Sequence, residues 1–341
     1  MLNYDTLQLI RSFTPLRIWN AIQIWVSYQI SKWLHKNKHK GYPIAISIEP
    51  TTYCNLRCPE CPSGLRNFTR PTGNLSMETF SKIIDELHQK TAYLILYFQG
   101  EPYLNPQFNA MVKYAREKKM YVATSTNAHY LTPENAQKII DSGLNRLIIS
   151  IDGTTQQTYQ QYRIGGNLNI VIEGIKNLIQ AKKNNKAKHP YVILQFIVFK
   201  HNEHQINEIK QLAKKWQVDA LQLKTAQIYN FENGSPLIPE NEKYRRYTQD
   251  KTGKFVIKNK FFNHCWKLWH SCVFTWDGKV LPCCFDKDAQ YEMGNIQNQS
   301  FKDIWKNQKY NAFRRQILVG RSTIEMCKNC TEGTKTSLKF E

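Results

Sequence analysis

"IAISIEPTTYCNLRCPEC", residues 44–61, runs an apolar, isoleucine-rich segment into a loop with three cysteines in eight positions. The segment from Ile44 to Ile48 reads as a short buried strand. Cys54, Cys58 and Cys61 follow at C-x3-C-x2-C spacing, and no fourth cysteine lies within two hundred residues. Four thiolates would close a structural site around zinc or a cubic iron–sulfur cluster, whereas three leave one metal with an open position. A loop at the C-terminal end of a strand is where βα folds present their chemistry.

The alternation begun there continues for six units. Further strands are predicted at 93–100, 120–127, 146–153, 191–199 and 220–228, with helical periodicity over 77–89, 105–119, 132–143, 167–184 and 203–216. Thr132 reads as an N-cap and Gly143 as a helix stop. Apolar strands alternating with amphipathic helices imply a parallel sheet covered by helices, either doubly wound or a partial barrel. After about residue 229 the pattern breaks into a turn-rich, polar linker. A cysteine-rich unit follows, with a hairpin expected at Asp277-Gly278, a helix over about 300–318, and a closing "CKNC" at 327–330.

Ahead of the first strand, residues 16–34 place Trp19, Ile22, Val26, Ile30 and Trp33 near one helical face, with Arg17, Asn20, Ser27, Ser31 and Lys32 opposite. A basic segment follows, "KWLHKNKHK" at 32–40. Two readings stand: a peripheral membrane contact through residues 16–40, tryptophans in and lysines at the headgroups, or a helix covering the open end of a barrel.

The 341 residues include 47 Lys+Arg against 27 Asp+Glu, a net charge of +20 that favours acidic partners or is simply a solvated basic surface. No recognised nucleic-acid motif accompanies the lysines, so a nucleic-acid partner is not expected. Asp5 and Arg11 interrupt the first apolar residues, and no run of 18 apolar residues exists. Neither a signal peptide nor a spanning helix is expected. The expected location is the cytoplasm, or its side of the inner membrane, where clustered cysteines among the nine present read as metal ligands.

Four more motifs stand at predicted strand ends or just after one: "QGEP" at 99–102, "STN" at 125–127, "SIDG" at 150–153 and "YRIGG" at 162–166. With the "CNLRCPEC" trio they make residues 44–332 resemble a radical S-adenosylmethionine (AdoMet) enzyme with a SPASM/twitch-like auxiliary cluster domain. The resemblance implies a partial (β/α)6 TIM-type barrel over 44–230, an N-terminal amphipathic helix and basic segment over 1–43, a linker over 231–264 and an auxiliary domain over 265–335. It implies a [4Fe-4S] cluster on Cys54, Cys58 and Cys61 whose unique iron chelates AdoMet. Gly100 and Glu101 would receive the AdoMet amino group, Ser125 and Asn127 would make polar contacts, Ser150 and Asp152 would lie near the ribose, and Arg163 would pair the carboxylate. Two positions depart from the family pattern: Glu60 replaces an aromatic before the third cysteine, and Ala128 replaces the glycine of the usual "TNG".

The same resemblance implies one auxiliary [4Fe-4S] cluster on Cys265, Cys283, Cys327 and Cys330, with Cys272 and Cys284 as second choices. Zinc suits four cysteines equally by count. The implied chemistry is reductive cleavage of AdoMet to a 5′-deoxyadenosyl radical and removal of hydrogen from a substrate C–H, with net oxidation through the auxiliary cluster. An external donor such as flavodoxin or ferredoxin would supply electrons. The substrate is expected to be small and polar, a sugar or a glycan. The alternatives are a peptide-modifying maturase and, in another class, a non-catalytic iron–sulfur or zinc protein. No general base is identifiable from the residues.

Overall fold

The computed structural model describes residues 3–258 and 262–331. Residues 259–261 of the expected linker and 332–335 of the expected auxiliary domain lie outside the described residues. Six strands, β1 (Ala45–Ile48), β2 (Tyr93–Ile95), β3 (Tyr121–Thr126), β4 (Arg146–Ser150), β5 (Tyr191–Val198) and β6 (Ala220–Thr225), pair in chain order, all parallel. Of the two arrangements that the alternation leaves open, this is the open, partial barrel that the resemblance implies. Its strands are buried on both faces, as in β3, where five of six residues are buried.

Helices α1 (Tyr4–Arg11) and α2 (Pro15–Leu34) precede the sheet, and the short α3 (Pro62–Leu65) closes the cysteine loop. Then come α4 (Met77–Leu87), α5 (Phe108–Glu117), α6 (Pro133–Ser142), α7 (Gln156–Gln160), α8 (Leu168–Asn184) and α9 (Ile206–Lys215). Their starts follow local chemistry. Ser76, Thr132 and Asn167 each accept an amide hydrogen from the first turn, and α6 ends at Gly143 with φ +72°.

Beyond β6 the chain makes a small antiparallel pair, β7 (Tyr247–Gln249) with β8 (Phe255–Ile257), inside the stretch expected to be a linker. Helix α10 (Trp266–His270) leads to β9 (Ser271–Phe274), β10 (Lys279–Leu281) and β11 (Gly294–Asn295). The hairpin at Asp277-Gly278 joins β9 to β10. Strand β9 also pairs parallel with β1, so the cysteine-rich unit extends the barrel sheet to nine strands, in the order β11-β10-β9-β1-β2-β3-β4-β5-β6. An unpaired edge on β1 would leave backbone donors and acceptors open, and the fully buried "SCVF" of β9 satisfies them. The helix expected over 300–318 is two: α11 (Phe301–Lys306) and α12 (Gln308–Gly320). They break at Asn307, whose side chain caps α12. A last turn, α13 (Glu325–Lys328), carries Cys327.

Helix α2 covers one end of the barrel, with its polar face inward. Arg17, Asn20, Ile24, Ser27, Tyr28 and Ser31 are buried, while Trp19, Ile22, Val26, Ile30 and Trp33 are exposed. It lies across the N-terminal ends of the strands, bonded to backbone carbonyls just ahead of β1, β2 and β3. No described helix is long and apolar enough to cross a membrane.

Candidate active site

The cysteine loop leaves β1 and is tied to the segment after β2 and to the turn that follows α7. Glu101 N donates to Tyr53 O at 2.7 Å, and Arg57 N donates to Ile164 O at 2.9 Å. Gly100, at φ +72°, lies so close beneath the loop that a Cβ would collide with the carbonyl oxygens of Thr51 and Tyr53. Gly64 has the same relation to the backbone of Cys58. Motifs far apart in sequence thus share one wall.

A cavity of about 430 Å³ opens at the C-terminal ends of the strands. Cys54, Cys58 and Cys61 line it together with Gly100, Glu101, Ser125, Asn127, Ser150 and Arg163. Asp152 is fully buried behind that wall. Its carboxylate pairs with Arg163 Nε at 2.6 Å and accepts from Ile197 N at 2.7 Å. Here Asp152 holds the arginine, whose Nη1 reaches to 3.8 Å from Cys58 Sγ. Burial opposes the charge on Arg163, but Asp152 first and Cys58 next outweigh it, so the guanidinium stays firmly protonated.

Glu101 accepts from Thr126 Oγ1 at 2.7 Å and Asn127 N at 2.8 Å. Burial raises its pKa to about 7 despite these bonds. Asn127 in turn donates to Asn55 Oδ1 at 2.8 Å. Burial also pushes the Cys54 thiol up to about 12, and it raises Cys58 against the pull of Arg163. Bare thiolates are disfavoured here, so a bound cationic centre would supply the compensation.

The donor chemistry fits an iron–sulfur cluster. Three soft thiols, none in a disulfide, share one cavity wall. Among the described residues no three His, Cys, Asp or Glu side chains stand together as a single-ion site, so the fit rests on donor type and placement. In the second unit, Cys283 interacts electrostatically with Cys284, Cys330 and Cys265, and Cys327 with Cys265. Arg321 is buried beside this group, its Nη2 3.4 Å from Cys330 Sγ. Each thiol set therefore has its own neighbouring arginine, Arg163 at the cavity wall and Arg321 buried. Cys272 sits within β9, in electrostatic reach of Arg314, while Cys284 is in reach of Tyr97 and Lys287.

Several residues at the site have no motif to announce them. Gln195, Gln227 and Lys287 line the cavity, and Gln227 and Lys287 also border a second cavity of about 600 Å³. That groove runs between the cysteine loop and the second unit, past Glu60, Tyr229, Asp286 and Asn329. Glu60 accepts from Tyr229 N at 2.8 Å, and Lys287 Nζ lies 2.9 Å from Tyr229 Oη. The two units are also joined by a buried pair below the groove. Arg70 forks onto Glu49 at 2.6 and 2.9 Å, and its Nε donates to Lys287 O at 3.2 Å.

Comparison with known proteins agrees with this geometry. The family model of the Radical SAM superfamily matches residues 48–213, and that of SPASM, an iron-sulfur cluster-binding domain, matches 265–331. The chain is 24% identical over 325 residues to the tungsten-containing aldehyde ferredoxin oxidoreductase cofactor-modifying protein of Pyrococcus furiosus, covering 83% of this chain and 86% of that protein. It is 26% identical over 299 residues to the AdoMet-dependent heme synthase of Methanosarcina barkeri, covering 78% and 82%. Among solved structures, Streptococcus suis SuiB bound to precursor peptide SuiA shares the fold with a TM-score of 0.62 at 13% identity, covering 84% of this chain and 70% of that one.

Proposed function

Because this chain belongs to the radical SAM superfamily and carries its SPASM domain, we propose that it oxidises a small polar, sugar or glycan substrate, held in the groove beside the AdoMet cavity, and that residues 16–40 hold it at a membrane surface. It is a radical SAM enzyme, with a [4Fe-4S] cluster, AdoMet and auxiliary iron–sulfur as its cofactors. In our assignment Cys54, Cys58 and Cys61 hold the first cluster, and Cys265, Cys283, Cys327 and Cys330 hold the auxiliary one. When bound, these groups supply the electron that splits AdoMet and the sink for the electron the substrate gives up.

The chain's own residues do the positioning. Arg163, braced by Asp152, presents a fixed cation for the AdoMet carboxylate. Glu101, braced by Thr126 and Asn127, presents an acceptor for its ammonium. Ser125, Asn127 and Ser150 offer hydroxyl and amide contacts farther along the wall. The observation that carries the reading is the shared border of the two cavities at Gln227 and Lys287, which leaves room for a substrate beside the AdoMet cavity. Both charge signs line that groove, Glu60 and Asp286 among the acids and Lys287 and Lys328 among the bases. Such a lining suits hydroxyl- or amine-bearing molecules. The curated relatives' names concern a cofactor and heme, which favours small molecules over peptides. The SuiB likeness, through its bound precursor peptide, keeps an extended peptide as the second reading.

The test is anaerobic. Protein reconstituted with iron and sulfide, given AdoMet and dithionite, should form 5′-deoxyadenosine. Iron should fall from roughly eight to about four per chain when Cys54, Cys58 and Cys61 are all replaced by alanine. Absence of 5′-deoxyadenosine with intact clusters would favour a non-catalytic iron–sulfur protein. Deuterium passing into 5′-deoxyadenosine from labelled sugars or from labelled peptides separates the two substrate readings.

A further inference from the structure

We infer that the outward face of α2 is a docking surface for an anionic lipid bilayer, and that it holds the enzyme with its active-site mouth turned away from the membrane. This rests on residues 16–40 being the membrane contact; it does not depend on the radical reaction. The helix is amphipathic in reverse. Its polar face is the one buried, and every polar group there has a backbone partner or a close polar neighbour. Arg17 donates to the carbonyls of His88, Lys118 and Lys119, at the C-terminal ends of α4 and α5, where a cation also complements the helix dipoles. Asn20 donates to Tyr42 O and Lys90 O and accepts from Tyr42 N. Ser31 donates to Ser27 O and accepts from Lys38 N, and Tyr28 Oη lies 2.8 Å from His264 Nδ1. Rolling the apolar face inward would strip Arg17 and Asn20 of these partners. The exposed face is therefore fixed in its outward position.

That face shows Trp19, Trp25 and Trp33 to solvent at 58%, 56% and 82% exposure, with Ile18, Ile22, Val26 and Ile30 between them. Leu7 and Ile10 of the preceding α1 are exposed as well. Charge selects the occupant. Between Asp5 and Glu49 there is no acidic residue, while Arg11, Arg17, Lys32, Lys36, Lys38 and Lys40 are all basic. The four lysines are exposed at the C-terminal end of the helix. Tryptophans on an apolar stripe with lysines at its end match the bilayer interface and its anionic headgroups. A second copy of the chain would cover the apolar face but supply no acidic residues from this region to meet the lysines. The helix rests on the N-terminal ends of the strands, and the catalytic cavity is at their C-terminal ends, so docking leaves the mouth facing water.

The experiment is flotation of the full-length holoprotein with phosphatidylcholine vesicles, alone or with about one-third phosphatidylglycerol. It is repeated for the variant W19Q/V26Q/W33Q and for K36Q/K38Q/K40Q, with circular dichroism and sedimentation in parallel. Affinity should be at least about tenfold higher for the anionic vesicles, and each variant should lower it by about tenfold or more with an unchanged spectrum. No binding to either vesicle overturns the membrane reading of residues 16–40 itself. Equal binding to both overturns only the anionic requirement. Binding lost with the lysines but kept by the glutamine-faced helix overturns apolar insertion. Dimerisation without lipid that the W19Q/V26Q/W33Q variant abolishes assigns the face to a second copy and overturns the proposal.

Discussion

Ala128 stands at φ +67° and is fully buried, in a left-handed conformation that suits glycine, at the position where the family pattern has one. Replacing it with glycine relieves the Cβ strain, and A128G should raise stability by about 1 kcal/mol, read as a higher urea midpoint at constant slope. The strain itself was not legible; only the departure from "TNG" was. The same division runs through the site. Cys54, Cys58 and Cys61 stand out by their local spacing, and Gly100 and Glu101 by the resemblance of "QGEP" to the family motif. Asp152 was legible as a motif member, but its place behind Arg163 depends on how β4 and α7 pack. Arg321 gave no signal at all, since it meets Cys265, Cys327 and Cys330 only after α12 turns back. Its charge beside the second thiol set makes a prediction. R321Q removes a buried cation, so the auxiliary cluster's midpoint should move to lower potential by tens of mV, on the order of the effect of one nearby charge. A redox titration followed by electron paramagnetic resonance measures it, and the Cys54/Cys58/Cys61 cluster should stay where it was.

Periodicity identified the barrel elements because helices and strands of a βα fold differ in period, and their caps are written locally at Ser76, Thr132 and Gly143. Which edges meet was not written there. Nothing in "SCVF" says that β9 will pair with β1, because a buried strand reads the same in any central position. Nor does the pattern of α2 reveal its orientation, since apolar periodicity alone assumes that the apolar face goes inward. The segment that follows α2 shows how that helix is pinned. His39 lies with Nε2 3.1 Å from Trp269 O and packs edge-on to Trp305. Burial foremost, then the nearby Arg314 and Lys306, lowers its pKa to about 3, against the carbonyl of Trp269, which favours the charged form. The unfolded chain protonates this histidine near pH 6.5, so below that pH it binds a proton the native state refuses. Stability contributed by neutral His39 is complete above about pH 6.5 and is lost as pH falls toward 3. At pH 5 the loss should be about 2 kcal/mol, and H39Q should flatten the fall between about pH 7.5 and 5 in urea titrations.

At the scale of the whole molecule, the two ends of the barrel divide the work. Strands of six to eight residues such as β3 and β5 separate the ends by about 20–25 Å. The cavity lined by Cys54, Arg163 and Lys287 lies at one end, and the tryptophan face of α2 lies at the other. A membrane-bound enzyme so arranged takes its substrate and electrons from the aqueous side, and a headgroup held at the bilayer plane would not reach the cavity. Hydrogen exchange on vesicles tests this without any substrate. Phosphatidylglycerol-containing vesicles should slow exchange in α1, α2 and residues 35–40, and in the adjoining turns at 88–91 and 118–120. Exchange at residues 51–75, 227–232 and 285–290, around the mouth, should not change. Protection appearing at the mouth would mean the bilayer covers the groove, and the substrate would then be drawn from the membrane. Because Arg17 bonds the turns after α4 and α5 directly to α2, protection of those turns should weaken in an R17Q protein. In the wild-type chain it should rise with the fraction of anionic lipid, following the charge between Asp5 and Glu49.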